Sequence, residues 1–303
     1  ILSTFESQNR SLARTAEVLK LTRHALRYRI QRLNLHPEMG AEDFAFVGQE
    51  VPSAYVNLSA CPAQDFASAP DNHSPRADFD DSVVPDAAGT QDANGVFVSG
   101  TTAYIARENG GSDELVIIDI STPSAPTLLG SLNLGATGYE IFVLGNNAYI
   151  ASGSNSQELQ VVDVSTSVTP SLIGSYNASG NTDATTVVAS GNYVFLGRSN
   201  VFYAIDVSAP SAPTLVDSLN VVGSVFDIAL TIGGGSAAYI GTATANGEFK
   251  VIDVSQPTAL TELCSLDVTG NNPLQGIAYD PATDTVFAAG SSDTGEFVII
   301  APQ

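Results

Sequence analysis

The side chains able to do chemistry are few, and their positions decide what they can do. The chain has three histidines, His24, His36 and His73, all before residue 94. A Ser-His-Asp arrangement in the longer C-terminal part is therefore excluded, because no imidazole is present there to act as base. No CxxC, HExxH or phosphate-cradling glycine loop occurs, and the Gly233–Gly235 run suits a hairpin turn. Asp78, Asp80, Asp81, Asp86 and Asp92 could offer oxygen ligands to Ca²⁺, with Asp78, Asp80 and Asp81 the closest set. They lack regular ligand spacing, so a solvated acidic loop is the plainer expectation. Carboxylates are plentiful enough for paired-carboxylate glycoside chemistry, but nothing in the sequence places two of them together. Cys61 and Cys264 leave two readings open, one disulfide or two buried free thiols. The expectation is a protein with no catalytic residues, no metal and no cofactor.

Charge divides the chain. Residues 1–40 carry seven basic side chains against three acidic ones, a net +4; the remainder carries four against twenty-nine, a net −25. A basic arm on an acidic body implies two segments with different partners. The body should repel nucleic acid and anionic membrane, and the arm could attract either. Hydrophobic residues make up 44% of the 303 and charged ones 14%, which supports a packed core and argues against disorder. No run of 18 apolar residues exists, so no membrane span is expected. No signal peptide is visible, although the chain begins at Ile1 rather than Met.

In the arm, residues 2–7 and 11–19 read as helices, with Leu12, Ala16 and Leu19 at helical spacing. A third helix is predicted from an N-cap at Thr22 to Leu33, with Leu26, Ile30 and Leu33 on one face, before Pro37 and Gly40 stop the pattern. This stretch, residues 9–36, resembles the Fis-type helix-turn-helix at the C-terminus of many bacterial transcription regulators. The residues that carry the likeness include Ala16, Leu19, Leu21, Thr22, Arg23, Leu26, Arg27, Tyr28, Arg29, Arg32, Leu33 and Leu35. The resemblance implies DNA binding. Thr22, Arg23, His24 and Arg27 would face base edges in the major groove, and Arg29 and Arg32 would neutralise phosphates. Lys20 and Asn34 stand where that family usually has glycine.

Residues 41–93 are rich in Ala, Asp, Ser and Pro and read as an acidic linker. Short strands near Phe44–Val47 and Tyr55–Leu58 could add to the domain after the linker. From residue 94 the chain repeats itself. A strand ending in Asp recurs as LVIIDIS at 115–121, LQVVDVS at 159–165, FYAIDVS at 202–208 and FKVIDVS at 249–255. Asp119, Asp163, Asp206 and Asp253 are 44, 43 and 47 residues apart, and a fifth copy puts Ala301 in the Asp slot. A second strand precedes each copy, a third follows four of them, and a short apolar strand opens every unit. Four short strands in about 45 residues is the period of a propeller blade. Each Asp is expected to bond backbone amides two residues on, a structural role at a turn. Tyr104, Tyr149 and Tyr239 recur at one blade position, as packing residues do.

These units resemble the LVIVD repeat family, named for the Asp-ending strand. The resemblance covers residues 94–303 and implies a propeller-like domain of a kind often exported or found at the cell surface, with no particular reaction. The fifth unit stops before its outer strand, so closure must borrow a strand from elsewhere, 41–93 being one source, unless the chain is truncated.

The expected architecture is mainly β: a helical unit at 1–40, a linker at 41–93 and a propeller of about five four-stranded blades at 94–303. Two functions stay open. One is a non-enzymatic, cytoplasmic regulator that binds DNA through residues 9–36 and a protein or small ligand on the propeller. The other is an extracellular interaction protein in which the basic arm is incidental.

Overall fold

A computed structural model describes residues 91–301, apart from 124, 179, 232–235, 245–246, 269–272 and 292–296, together with Val18 and Lys20. The repeats become five antiparallel sheets. The first holds β1 (Ala93–Ser99), β2 (Thr102–Arg107), β3 (Leu115–Asp119) and β4 (Thr127–Leu132). The second holds β5 (Gly138–Leu144), β6 (Asn147–Ser152), β7 (Leu159–Asp163) and β8 (Ser171–Tyr176). The third holds β9 (Ala184–Ser190), β10 (Tyr193–Arg198), β11 (Val201–Asp206) and β12 (Thr214–Asn220). The fourth holds β13 (Ser224–Leu230), β14 (Ala237–Ala243), β15 (Phe249–Asp253) and β16 (Thr261–Leu266). The fifth has three strands among the described residues, β17 (Leu274–Asp280), β18 (Thr285–Gly290) and β19 (Phe297–Ile300), where the repeat period led to four.

Within every sheet the strands pair in chain order, as a meander of short connections allows. The sheets pack side by side through their first strands: β1 on β5, β5 on β9, β9 on β13 and β13 on β17. They are the blades of a five-blade β-propeller. Among the described residues, β17 makes no comparable contact with β1.

The third strands of blades 1 to 4 are mostly apolar and largely buried, because sheets lie against them. Leu115 and Ile117 of blade 1 join Ile141, Val143, Ala148 and Ile150 of blade 2 in one core. Tyr149, Ala151, Leu159 and Val161 of blade 2 join Ala184, Val187, Val194 and Leu196 of blade 3 in the next. Blades 3 and 4 meet around Phe195, Phe202, Ile228 and Ile240, and blades 4 and 5 around Phe249, Leu274 and Ile277. On the other face of blade 1, Ala103, Val116 and Ile118 form a smaller buried cluster. Of the recurring tyrosines, Tyr104 and Tyr149 are buried in these cores, and Tyr239 stacks on Phe249 at 5.8 Å.

The repeated Asp residues occupy matching corners. Oδ1 of Asp119, Asp163, Asp206 and Asp253 accepts the N–H of Ser121, Ser165, Ser208 and Ser255 at 2.8, 2.8, 2.7 and 2.8 Å. These bonds hold all four carboxyls below their ordinary range. The serine N–H contributes most at Asp119 and Asp206, the serine hydroxyl most at Asp163 and Asp253. Each corner turns the chain toward the outer strand, which lies against the next blade's corner. Gly174 on β8 shows how tightly: a Cβ there would sit 2.1 Å from the carbonyl oxygen of Pro210. At the equivalent place on β12, Asp217 instead accepts the N–H of Leu260 across the blade boundary at 2.8 Å.

Two substitutions test this packing by urea or thermal unfolding. Leu159→Ala should cost about 2–5 kcal/mol, because a fully buried interblade side chain leaves a cavity. Gly174→Ala should cost about 1–3 kcal/mol by forcing blades 2 and 3 apart. An unchanged stability in either case would contradict face-to-face blade packing.

Candidate functional site

The inner strands β1, β5, β9, β13 and β17 each carry a bulge at the same place, against Arg107, Ser152, Arg198, Thr242 and Gly290 of the second strands or their neighbours. A bulge re-aims the residues beside it. The residues paired at the inner-strand side of this irregularity are Gly95, Glu140, Thr186, Asp227 and Gly276, one per blade. Three neighbouring blades thus bring two carboxylates and a hydroxyl to one level of the inner strands. Gly95 accommodates the close approach of blades 1 and 2: a Cβ there would lie 2.8 Å from Glu140 Cα.

Asp227 is well satisfied. Its Oδ1 accepts the Ile228 N–H at 2.7 Å, and its Oδ2 accepts the Ile277 N–H of blade 5 at 2.6 Å. The buried Thr186 hydroxyl lies beside this carboxylate and favours its charged form, without a hydrogen bond of good geometry. Burial outweighs these bonds and pushes Asp227 up to about 6. Glu140 has one long contact, from the Ile141 N–H at 3.4 Å. Burial foremost, and the facing Asp227 charge second, push it up to about 7. A carboxyl poised near neutrality beside a second carboxylate can hold a proton, a cation or a ligand hydroxyl. Among the described residues no group of three or more His, Cys, Asp or Glu is placed to hold a metal ion.

A second set of acids is structural. Glu114, Glu158 and Glu248 each stand one residue before a blade's third strand and are buried. Their Oε2 atoms accept the N–H of Leu134, Ala178 and Val268 at 2.6, 3.0 and 3.2 Å, twenty residues on, and so fasten the end of the outer strand. Blade 3 replaces the glutamate with a bond from Asn200 to the Asn220 side chain at 3.2 Å. Arg198 reaches from blade 3 toward Glu158 of blade 2, at 4.0 Å.

The three cations after residue 90 are Arg107, Arg198 and Lys250, and all are buried. Twenty Asp and Glu share the same stretch. The described exterior of the propeller therefore offers solvent carboxylates without a balancing cation.

The DNA-binding residues expected from sequence, Thr22, Arg23, His24, Arg27, Arg29 and Arg32, lie outside the described residues, as do Asp78, Asp80, Asp81, Cys61, Gly233–Gly235 and the strands expected near 44–47 and 55–58. Of that N-terminal part, Val18 is helical and Lys20 is a turn residue with φ of 53°. Cys264 is a free thiol, exposed on the outer strand β16 rather than buried as one reading had it, because the outermost strand of a blade has no further strand to cover it. Sequence reasoning missed Glu140, Thr186 and Asp227, whose residue type changes from blade to blade. It also missed the buried glutamates, although aligning the units on their Asp strands puts Glu114, Glu158, Glu248 and Glu296 in one column.

The LVIVD repeat family matches residues 90–133, 138–178, 181–221 and 223–268. No curated protein matches the sequence. Among solved structures, a candidate 6-phosphogluconolactonase from Bacteroides uniformis is similar at a TM-score of 0.58 and 13% identity, over 69% of this chain and 67% of that one. The periplasmic gluconolactonase of Pseudomonas aeruginosa is similar at 0.51 and 14%, over 70% and 57%. The computationally designed Ika8 protein is similar at 0.50 and 14%, over 66% and 55%, so the chain spans little more than half of that protein's length. Likeness at this identity shows the fold alone.

The raised carboxyls set a pH dependence. A carboxyl whose folded value exceeds its unfolded one binds its proton more tightly when folded. The pair therefore subtracts stability as pH rises from the ordinary carboxylate range through about 6 and about 7. Glu140→Gln should raise the unfolding free energy by roughly 1–3 kcal/mol at about pH 8 and leave it unchanged at about pH 4. Thermal melts across that range check it; a gain that is the same at both ends would show that burial does not tune Glu140.

Proposed function

The chain belongs to the LVIVD repeat family, and from that premise we propose that its propeller is a non-enzymatic scaffold that binds a positively charged protein segment. One observation carries the reading. After residue 90 every Arg and Lys is buried, whereas of the eighteen described carboxylates in that stretch only Glu114, Glu158 and Glu248 are buried to that degree. Such a surface attracts basic segments and repels nucleic acid and anionic lipid. Outer strands with Leu128, Leu172 and Leu215 exposed at equivalent positions add apolar contact on the rim. The absence of histidine from residue 74 onward, and the commitment of Asp227 to backbone N–H groups, weigh against hydrolysis. The DNA binding expected of residues 9–36 from their resemblance is no part of this reading.

Two measurements test it. Calorimetric titration with a lysine-rich peptide should show binding that weakens as salt rises, and a glutamate-rich peptide of equal length should show none. Hydrolysis of gluconolactone should run at the uncatalysed rate. Indifference to both peptides would overturn the scaffold reading, and turnover abolished by Asp227→Asn would replace it with an enzyme.

A further inference from the structure

The residues beside the shared bulge lie near the start of the inner strands. Gly95, Glu140, Thr186 and Gly276 are the third residues of β1, β5, β9 and β17, and Asp227 is the fourth of β13. Glu140 and Asp227 are half-buried, so each stays partly open to solvent. The chain's nearby cations are engaged elsewhere: Arg107 bonds the Asp113 carbonyl, Arg198 the Thr182 carbonyl and Lys250 the Glu262 carboxylate. Among the described residues no cation stands with the groups that perturb either carboxyl. Thr186 lies on the blade between them and is fully buried. Its hydroxyl is turned to the Asp227 carboxylate yet has no hydrogen-bond partner. Buried hydroxyls ordinarily find one, so this orphaned group points to a ligand where the two acids alone would not.

We propose that this level of the inner strands binds a primary ammonium group. Its source rests on the scaffold reading above: a lysine side chain of the bound basic segment. Donor count selects the ammonium, which carries three N–H donors and no acceptor, against two carboxylates and a hydroxyl here. A planar guanidinium prefers both oxygens of one carboxylate, and each Asp227 oxygen already accepts a backbone N–H. An ammonium needs only one oxygen from each acid, and Glu140 has just its long contact from Ile141 to share. A hard metal ion asks for about six or more oxygens. Among the described residues no group of three or more His, Cys, Asp or Glu is placed to supply them.

An ammonium between the acids also relieves their repulsion. Burial and the Asp227 charge push Glu140 up to about 7, and a bound cation favours its ionised form. Binding near neutral pH should therefore release a proton from Glu140 to the buffer. Of the strands packed on β5, β1 and β9 carry no titratable side chain, β2 carries Tyr104 and Arg107, and β6 carries Tyr149. On β5 itself the Tyr139 hydroxyl donates to Asp183 at 2.9 Å. Asp227 is the one charge among these neighbours that acts on Glu140. The corner aspartates are held below their ordinary range, so they are already ionised and release nothing.

Calorimetric titration of the full chain with a lysine-rich peptide, and with the same peptide trimethylated at every Nζ, tests this. The two carry equal charge, but the trimethylated group has no N–H to donate. The plain peptide should bind about tenfold tighter or more. Heats in buffers of different ionisation enthalpy should show proton release at about pH 7 and none at about pH 9. Glu140→Gln and Thr186→Val should each remove most of the preference for the plain peptide, and Glu140→Gln the proton release as well. Both variants should melt no lower than the wild type, since one removes a buried charge and the other a hydroxyl without a partner. Equal binding of the two peptides, or a preference that survives both substitutions, would overturn the ammonium site and leave the scaffold reading standing. Spermidine separates the two in the other direction. Its binding, lost in both variants, beside a peptide that does not bind would keep the site and remove the scaffold reading. Indifference to all three compounds would overturn both.

Discussion

A four-stranded blade has two apolar faces and cannot hide either of them by itself. The rest of the structure depends on that constraint. The third strand of a blade with two neighbours, such as β7 in blade 2, is buried throughout because one face is covered by the preceding blade and the other by the following blade. The cores therefore lie between blades rather than within them, and a blade is stable to the extent that its neighbours are present. The apolar transfer that drives this packing is non-directional, so register comes from elsewhere: the Asp corners, the shared bulge and the buried glutamates that fasten each outer strand.

Those polar fixtures explain an unusual distribution of charge. Arg107, Arg198 and Lys250 are spent inside the fold, where Arg107 bonds the Asp113 carbonyl, Arg198 the Thr182 carbonyl and Lys250 the Glu262 carboxylate. What remains outside is acidic. The binding preference we propose is thus a by-product of how the blades are held together as much as a property of any one pocket, and it acts over the whole rim. The axial carboxyls differ in kind. They are few, partly desolvated and set against one another, so they respond to pH where the exposed corner aspartates do not.

The likeness to lactonases illustrates why the fold does not settle the function. A propeller places side chains from consecutive inner strands at one level, and any chemistry can be written there by changing one residue per blade. In this chain that level reads Gly, Glu, Thr, Asp, Gly. One of its two carboxylates, Asp227, ties blade 4 to the backbone of blade 5.

The sequence determined the period, the number of units, the strand order within each and the turn at Asp119, Asp163, Asp206 and Asp253, because all of these rest on local pattern: alternation, β-branched residues and a side chain that bonds two residues on. It also determined that the body is acidic. It did not reveal that Glu140 faces Asp227, residues 87 positions apart in the chain that meet only when the inner strands come together. Nor did it show that every cation after residue 90 is buried or that Cys264 is exposed. The fate of blade 5 was equally hidden, for the run Phe297–Ile300 reads like any other third strand. Whether such a strand is core or surface depends on whether another sheet lies against it, and that is a long-range fact that only the tertiary structure decides.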